Sequence, residues 1–315
     1  MKKFLVLICG MLFILGAASS VSAAPIIMEG DYVRTAVSDD GTLGYGGYTE
    51  PGIKHDPTGT GTFPVDDYLT PGTPWEIFSV ESDQTGLRYN NNSGYDYIST
   101  SSAPVDGSAT SIYDNFVSWE GEYSGYFQIA TDTYFMDGDE RINMSTTITA
   151  EQDLTNLNFL RSLDPDPDVY TYGSYYTVNG RGYDANTDGD FDDPGDLAPE
   201  DWVHAEGTST GLTIGLYSDS DVTHNTGISS GWSSDPDFYL AGTDNGNGDW
   251  TIGIAFDFGT LLTGESVTID YAYIMGDSLA TVDIPDGDPV PEPTTMLLLG
   301  SGLMGLAGFR RKFKK

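Results

Sequence analysis

The chain has a single cysteine, Cys9, in its N-terminal apolar stretch. The remaining sequence therefore offers no thiol for a disulfide, a cysteine nucleophile or a thiolate metal centre. Basic side chains are almost as scarce. Of 13 lysines and arginines, Lys2, Lys3, Arg310, Arg311, Lys312, Lys314 and Lys315 stand at the two ends. Between residues 24 and 289 only six remain, against 47 of the 48 acidic residues, a formal charge near −41 for this body. Such a surface repels nucleic acid and anionic lipid headgroups, and it attracts divalent cations and cationic polymers. Histidine is limited to His55, His204 and His224, which show no H-E-x-x-H or other metal-ligand spacing. The body also lacks any helical apolar period of useful length.

What it has instead is aromatic residues: 20 Tyr, 14 Phe and 5 Trp. That many aromatics argues against a solvated, disordered chain despite the charge. They sit in alternating patterns. Trp250, Ile252, Ile254, Phe256 and Phe258 occupy every second position, as do Val267, Ile269, Tyr271 and Tyr273. Ile142, Met144, Thr146 and Ile148 repeat the pattern, and so do Leu212, Ile214 and Leu216. Period two means half-buried strands, and the Gly, Asn, Asp and Pro clusters between them read as turns. The predicted fold is all-β, an antiparallel β-sandwich spanning residues 24–282. Within it, the short connection from Gly259 to Gly264 predicts that Trp250–Phe258 and Val267–Tyr273 are neighbouring antiparallel strands. The Gly-, Pro- and Thr-rich stretch from Thr42 to Pro74 reads as an irregular region covering the sandwich.

The two ends read as targeting segments. Lys2 and Lys3 precede an apolar run from Phe4 to Leu15, and Val21-Ser22-Ala23 supplies small residues for cleavage after Ala23. Residues 1–23 are thus expected to be a signal peptide, helical in the precursor. Cys9 has neither the adjoining small residue nor the preceding apolar run of a lipidation site. At the other end, a Pro- and Asp-rich linker (283–289) leads to Val290-Pro291-Glu292-Pro293. Two prolines within three residues keep that tetrad extended and accessible. Thr294 to Phe309 then rises about 24 Å as a helix, short of the roughly 30 Å of a bilayer core. Arg310, Arg311 and three lysines hold its end on the cytoplasmic side.

Tetrad, apolar run and basic end together resemble the PEP-CTERM sorting signal of Gram-negative bacteria, over residues 290–315. The resemblance implies that Val290, Pro291, Glu292, Pro293, Arg310 and Arg311 form the sorting motif and that exosortase is the processing partner. It also implies a transient inner-membrane intermediate, a hydrophobic transmembrane helix in the precursor, and delivery to the cell surface or extracellular matrix. Association with exopolysaccharide and biofilm is implied as well.

Inside the body, the strongest chemical pattern is the acidic stretch from Asp184 to Asp196. Asp184, Asn186, Asp188 and Gly189 match positions 1, 3, 5 and 6 of an EF-hand-type loop, with Asp190 and Asp192 as further ligands. Alternate oxygens on a tight turn converge on one point, so a structural Ca2+ is expected at Asp184, Asn186, Asp188, Asp190 and Asp192. Gly195 stands where the loop's bidentate acid belongs, which weakens the site. Two further acidic segments are candidates of lower rank. Asp164-Pro165-Asp166-Pro167-Asp168 spaces three carboxylates two apart on a stiff backbone. Asp244 to Asp249 reads most simply as a hairpin loop before the Trp250 strand.

Catalytic patterns fail on context. Gly227-Ile228-Ser229-Ser230-Gly231 spells G-x-S-x-G without the strand-turn-helix of a nucleophile elbow. Gly300 to Gly305 spells G-x-G-x-x-G inside the sorting segment. The single Thr58-Gly59-Thr60-Gly61-Thr62 run makes no flat threonine array. Tyr172, Tyr175, Tyr176, Trp202, Trp232 and Tyr239, at loop-like positions, could form a platform for sugar rings; the competing reading is core packing. The expectation is a non-enzymatic surface protein, with a calcium-dependent carbohydrate-binding module or a glycan-active enzyme on the same scaffold as the alternative.

Overall fold

The computed structural model describes residues 24–193, 195–282 and 284. The signal helix, the sorting tetrad and the C-terminal hydrophobic helix lie outside these residues. Among the described residues no helix is long and apolar enough to cross a membrane.

Antiparallel strands dominate. An eight-stranded sheet runs in the order β12 (Thr177–Arg181), β13 (Trp202–Gly207), β14 (Thr213–Tyr217), β17 (Ser266–Gly276), β10 (Arg141–Ala150), β9 (Phe127–Phe135), β8 (Asn115–Tyr123) and β7 (Ser99–Asp106). A six-stranded sheet runs β15 (His224–Ser229), β16 (Thr251–Leu261), β11 (Leu154–Leu163), β4 (Glu76–Glu81), β5 (Arg88–Asn91) and β6 (Tyr95–Asp96). A three-stranded sheet of β1 (Ile26–Glu29), β2 (Val33–Val37) and β3 (Ile53–His55) packs onto the same apolar core, through Met28, Val33, Val37 and Ile53. The only helices among the described residues are one-turn pieces: α1 (Val169–Tyr172), α2 (Pro236–Leu240) and a 3-10 turn at Leu279–Thr281.

Alternation in sequence becomes alternation in burial most cleanly in β9 and β10, whose residues point in turn to the core and to the outside. The two large sheets meet through aromatic rings. Phe78 of β4 lies edge-on to Trp119 of β8 at 5.4 Å, and Phe159 of β11 is 5.9 Å from Tyr271 of β17. Outer faces are partly covered too. Tyr239 of α2 packs with Ile77, Leu160 and Ala255 behind the six-stranded sheet. Trp202, Ala272 and Ile274 pack behind the eight-stranded one. This is why β16 and β17 are buried on both faces along half their length. At Gly41 (φ 83°) the chain passes so close to Trp119 that a Cβ would sit 2.5 Å from its ring.

One expectation is corrected. β16 and β17 are not paired neighbours; they lie in opposite sheets. β16 pairs with β11 and β15, whereas β17 pairs with β10 and β14. A period-two pattern says which face is buried, not which sheet holds the strand. Both strands aim alternate residues into one core, so Phe256 and Tyr271 face each other with ring centroids 6.0 Å apart. The connection is captured by the end of β10, where Ala150 N donates to Glu265 O and Gly264 N donates to Ala150 O.

The threonine-glycine run has a local role. Asp56 accepts hydrogen bonds from the backbone N–H groups of Thr58, Thr60 and Thr62 and from the hydroxyls of Thr58 and Thr60. The run is a loop wrapped around one carboxylate.

Candidate functional site

The two lower-ranked acidic segments come together in space. Asp164 continues from β11, and its N–H donates to Trp75 O; two residues on, Asp166 N–H donates to Tyr68 O. Pro165 and Pro167 fix the intervening backbone and have no N–H to satisfy. The second segment is not a hairpin loop. It links α2 to β16, and Gly248 exchanges backbone hydrogen bonds with Thr177 of β12. Asn247 accepts from Asn179 N and Asn245 N donates to Ile228 O of β15, so the loop is pinned on both sides. That pinning sets Asp249 against the first segment. Ligand-capable oxygens of Asp164, Asp166 and Asp249 all lie within 4.8 Å of one another.

Asp164 and Asp166 are only 3% and 2% exposed, and Asp249 is the more open member. Burial, reinforced by the Asp249 charge, pushes the Asp164 carboxyl up to about 8. Burial and the Asp164 and Asp249 charges push Asp166 to about 9. Asp168, the third acid of the segment, is fully buried yet belongs to no such group. It precedes α1 without capping it and instead accepts from Ser209 N, Thr210 N and the hydroxyls of Thr208 and Thr210. It clamps the β13–β14 turn.

Aromatic rings flank the trio. A Cβ at Gly72 (φ 69°) would meet Asp166 Oδ2 at 2.7 Å and the Tyr175 ring at 2.9 Å, so both groups converge on this glycine. Trp232, held at φ 52°, donates from Nε1 to Asp249 O, and its ring lies 5.8 Å from that of Trp75. Tyr172, Tyr175 and Tyr176 are exposed. Trp202 and Tyr239, grouped with them from the sequence, are fully buried core residues. Loop-like neighbours in sequence did not reveal that Trp202 begins β13 or that Tyr239 fills the space against Gly227 and Gly253.

The loop expected to hold calcium is exposed from Ala185 to Asp193, with Asp184 half-buried. Asp188 and Asp190 group with Asp193, not with Asp184 or Asp192. Thr187 (φ 59°) and Gly189 (φ 96°) turn the chain back so that the Asp184 carboxylate accepts from both their N–H groups. Asn186 donates to Asp188 and Asp193, and Asp192 N donates to Asp190. Ser229 of the G-x-S-x-G pattern ends β15, buried, and accepts from Ser233 N. Elsewhere on the surface, a hollow of about 520 Å³ is lined by Glu81, Asp83, Asp237 and Asp257 and carries no aromatic side chain.

Residues 289–312 match the PEP-CTERM protein-sorting motif. The tail is therefore a sorting motif of this kind, which implies exosortase processing and an exported, surface-directed chain. No curated protein matches the chain. Among solved structures, the body is similar to a bacterial glucoamylase complexed with acarbose, at 12% identity and a TM-score of 0.49, over 82% of this chain and 33% of that one. It is also similar to the heparan sulfate lyase HepC of Pedobacter heparinus (7% identity, TM-score 0.37, 80% and 37% covered). A galactose mutarotase related enzyme from Lactobacillus acidophilus is similar at 8% identity and a TM-score of 0.31, with 82% and 100% covered. The chain spans about a third of the first two of these proteins. Likenesses this distant carry no assignment of activity.

Proposed function

We propose that this chain is an exported, exosortase-sorted surface protein whose β-sandwich body associates non-catalytically with extracellular polysaccharide. The sorting motif supports the destination. The observation that carries the binding half is a pair of surface rings beside a buried acidic group: exposed Tyr175 against Asp166 and half-buried Trp232 against Asp249. Sugar rings stack their C–H faces on aromatic rings, while carboxylates accept from their hydroxyls. A body of formal charge near −41 favours neutral or cationic polymers over anionic ones.

The test is affinity electrophoresis of the purified chain in gels containing host exopolysaccharide, with Tyr175→Ala and Trp232→Ala alongside. Retardation of the parent that weakens at least tenfold in both variants supports the reading. Equal mobility of parent and variants contradicts the assignment of this face. New reducing ends released from the polymer would contradict the non-catalytic half and favour a glycan-active enzyme.

A further inference from the structure

We propose that Asp164, Asp166 and Asp249 bind one divalent cation of calcium type, at a site separate from the 184–192 loop. Oxygens on opposite sides of a calcium ion are about 4.6–5.2 Å apart, twice the 2.3–2.6 Å ligand distance. Three oxygens within 4.8 Å of one another therefore suit a single ion. The Asp-Pro-Asp-Pro-Asp backbone is stiff, and residues two apart on an extended chain point to the same side. The site thus exists before an ion arrives, and Gly72 leaves the Asp166 carboxylate its space.

The second observation concerns hydrogen-bond partners. Oδ1 of Asp164 and Oδ1 of Asp166 are buried with no hydrogen-bond partner. Two other fully buried carboxylates, by contrast, are well supplied with donors. Asp67 accepts from the N–H groups of Gly52, Ile53, Leu69 and Thr70, and Asp168 accepts from four donors. Buried acceptors without donors are rare in folded proteins and costly. Among the described residues, no lysine, arginine or histidine forms an ion pair with any of the three. A dication supplies what the protein withholds here. Three carboxylates contribute part of calcium's six to eight oxygens, leaving the remainder to water or ligand hydroxyls.

Equilibrium dialysis of the purified full chain against radioactive calcium at pH 7.5 tests this, with Asp166→Asn, Asp249→Asn and Asp188→Ala in parallel. The expected result is loss of one bound equivalent, or at least tenfold weaker binding of it, in Asp166→Asn and Asp249→Asn, with that equivalent kept in Asp188→Ala. Asp249 is on the open side of the group, so Asp249→Asn remains informative if Asp166→Asn does not fold. A parent that binds no calcium, or an Asp249→Asn chain that binds as much and as tightly as the parent, overturns the proposal. So does loss confined to Asp188→Ala.

Discussion

Arg161 of β11 donates from Nε to Glu76 of β4, and both side chains are fully buried. The same carboxylate accepts from the Tyr273 hydroxyl of the opposite sheet at 2.7 Å and from Leu43 N at 2.7 Å. One acidic side chain thereby ties both large sheets to the N-terminal region. Burial opposes the charge on Arg161, but Glu76, with Tyr271 and Tyr273, more than offsets it and holds the guanidinium pKa above its ordinary value. The ring of Phe78 lies 5.6 Å below the guanidinium carbon.

Glu76→Gln should therefore destabilise the fold by about 3–5 kcal/mol, because it leaves a buried cation without its partner. The double variant Glu76→Gln with Arg161→Met should recover part of that loss. Urea denaturation of parent, single and double variants measures both. Equal losses in the single and the double would show that the charge on Arg161 is not the source of the cost.

His204 makes stability fall on acidification. Burial beneath the stacked Trp202 ring pushes its pKa down to about 4 from 6.5, against the opposing charge of Asp244. The folded state keeps it neutral while the unfolded state takes up a proton below 6.5. Its contribution to stability is thus complete above pH 6.5, declines as pH falls, and is gone below about 4. At roughly 1.4 kcal/mol per pKa unit, the loss across that window is about 3 kcal/mol. Denaturant midpoints from pH 7 to pH 4 should fall less steeply in His204→Gln than in the parent.

Trp202→Ala should cost about 3–5 kcal/mol, the range for emptying a buried tryptophan site. Trp232→Ala, at a half-buried surface position, should leave the thermal midpoint nearly unchanged. Differential scanning calorimetry of the two variants separates a core tryptophan from a surface one. Similar midpoints for both would contradict the burial described for Trp202.

For the exposed acidic loop we expect weak extracellular-type calcium binding, with a dissociation constant of about 10⁻⁴ to 10⁻³ M. At 10 mM calcium this stabilises the fold by roughly 1.4 to 2.7 kcal/mol. Because Asp188 groups with Asp190 and Asp193 in the structure, Asp188→Ala should reduce the calcium response. Magnesium at matched ionic strength is the control. Equal midpoint shifts with the two ions would reduce the effect to general screening.

Local physics was readable in the sequence, and long-range pairing was not. Ile142 to Ile148 and Val267 to Tyr273 announced themselves as strands because a two-residue period is a local property. That Val267–Tyr273 pairs with β10 rather than with β16 depends on where Ala150 and Gly264 meet, 114 residues apart in the chain. The acidic trio escaped for a related reason. Asp164 and Asp166 sit in a conspicuous proline-spaced motif, but Asp249 reaches them only through the bridge of Gly248 to Thr177. Arg161 and Glu76 gave no local signal at all. Aromatics divided the same way: Tyr175 and Trp202 look alike in composition, and only packing makes one exposed and the other core.

Export and exosortase sorting are tested most directly by the intact mass of this protein recovered from the surface and matrix of its host. They predict a species beginning at Ala24 and ending at or near Val290 to Pro293. A surface form that still carries Arg310 to Lys315 would contradict sorting and make the tail a permanent anchor.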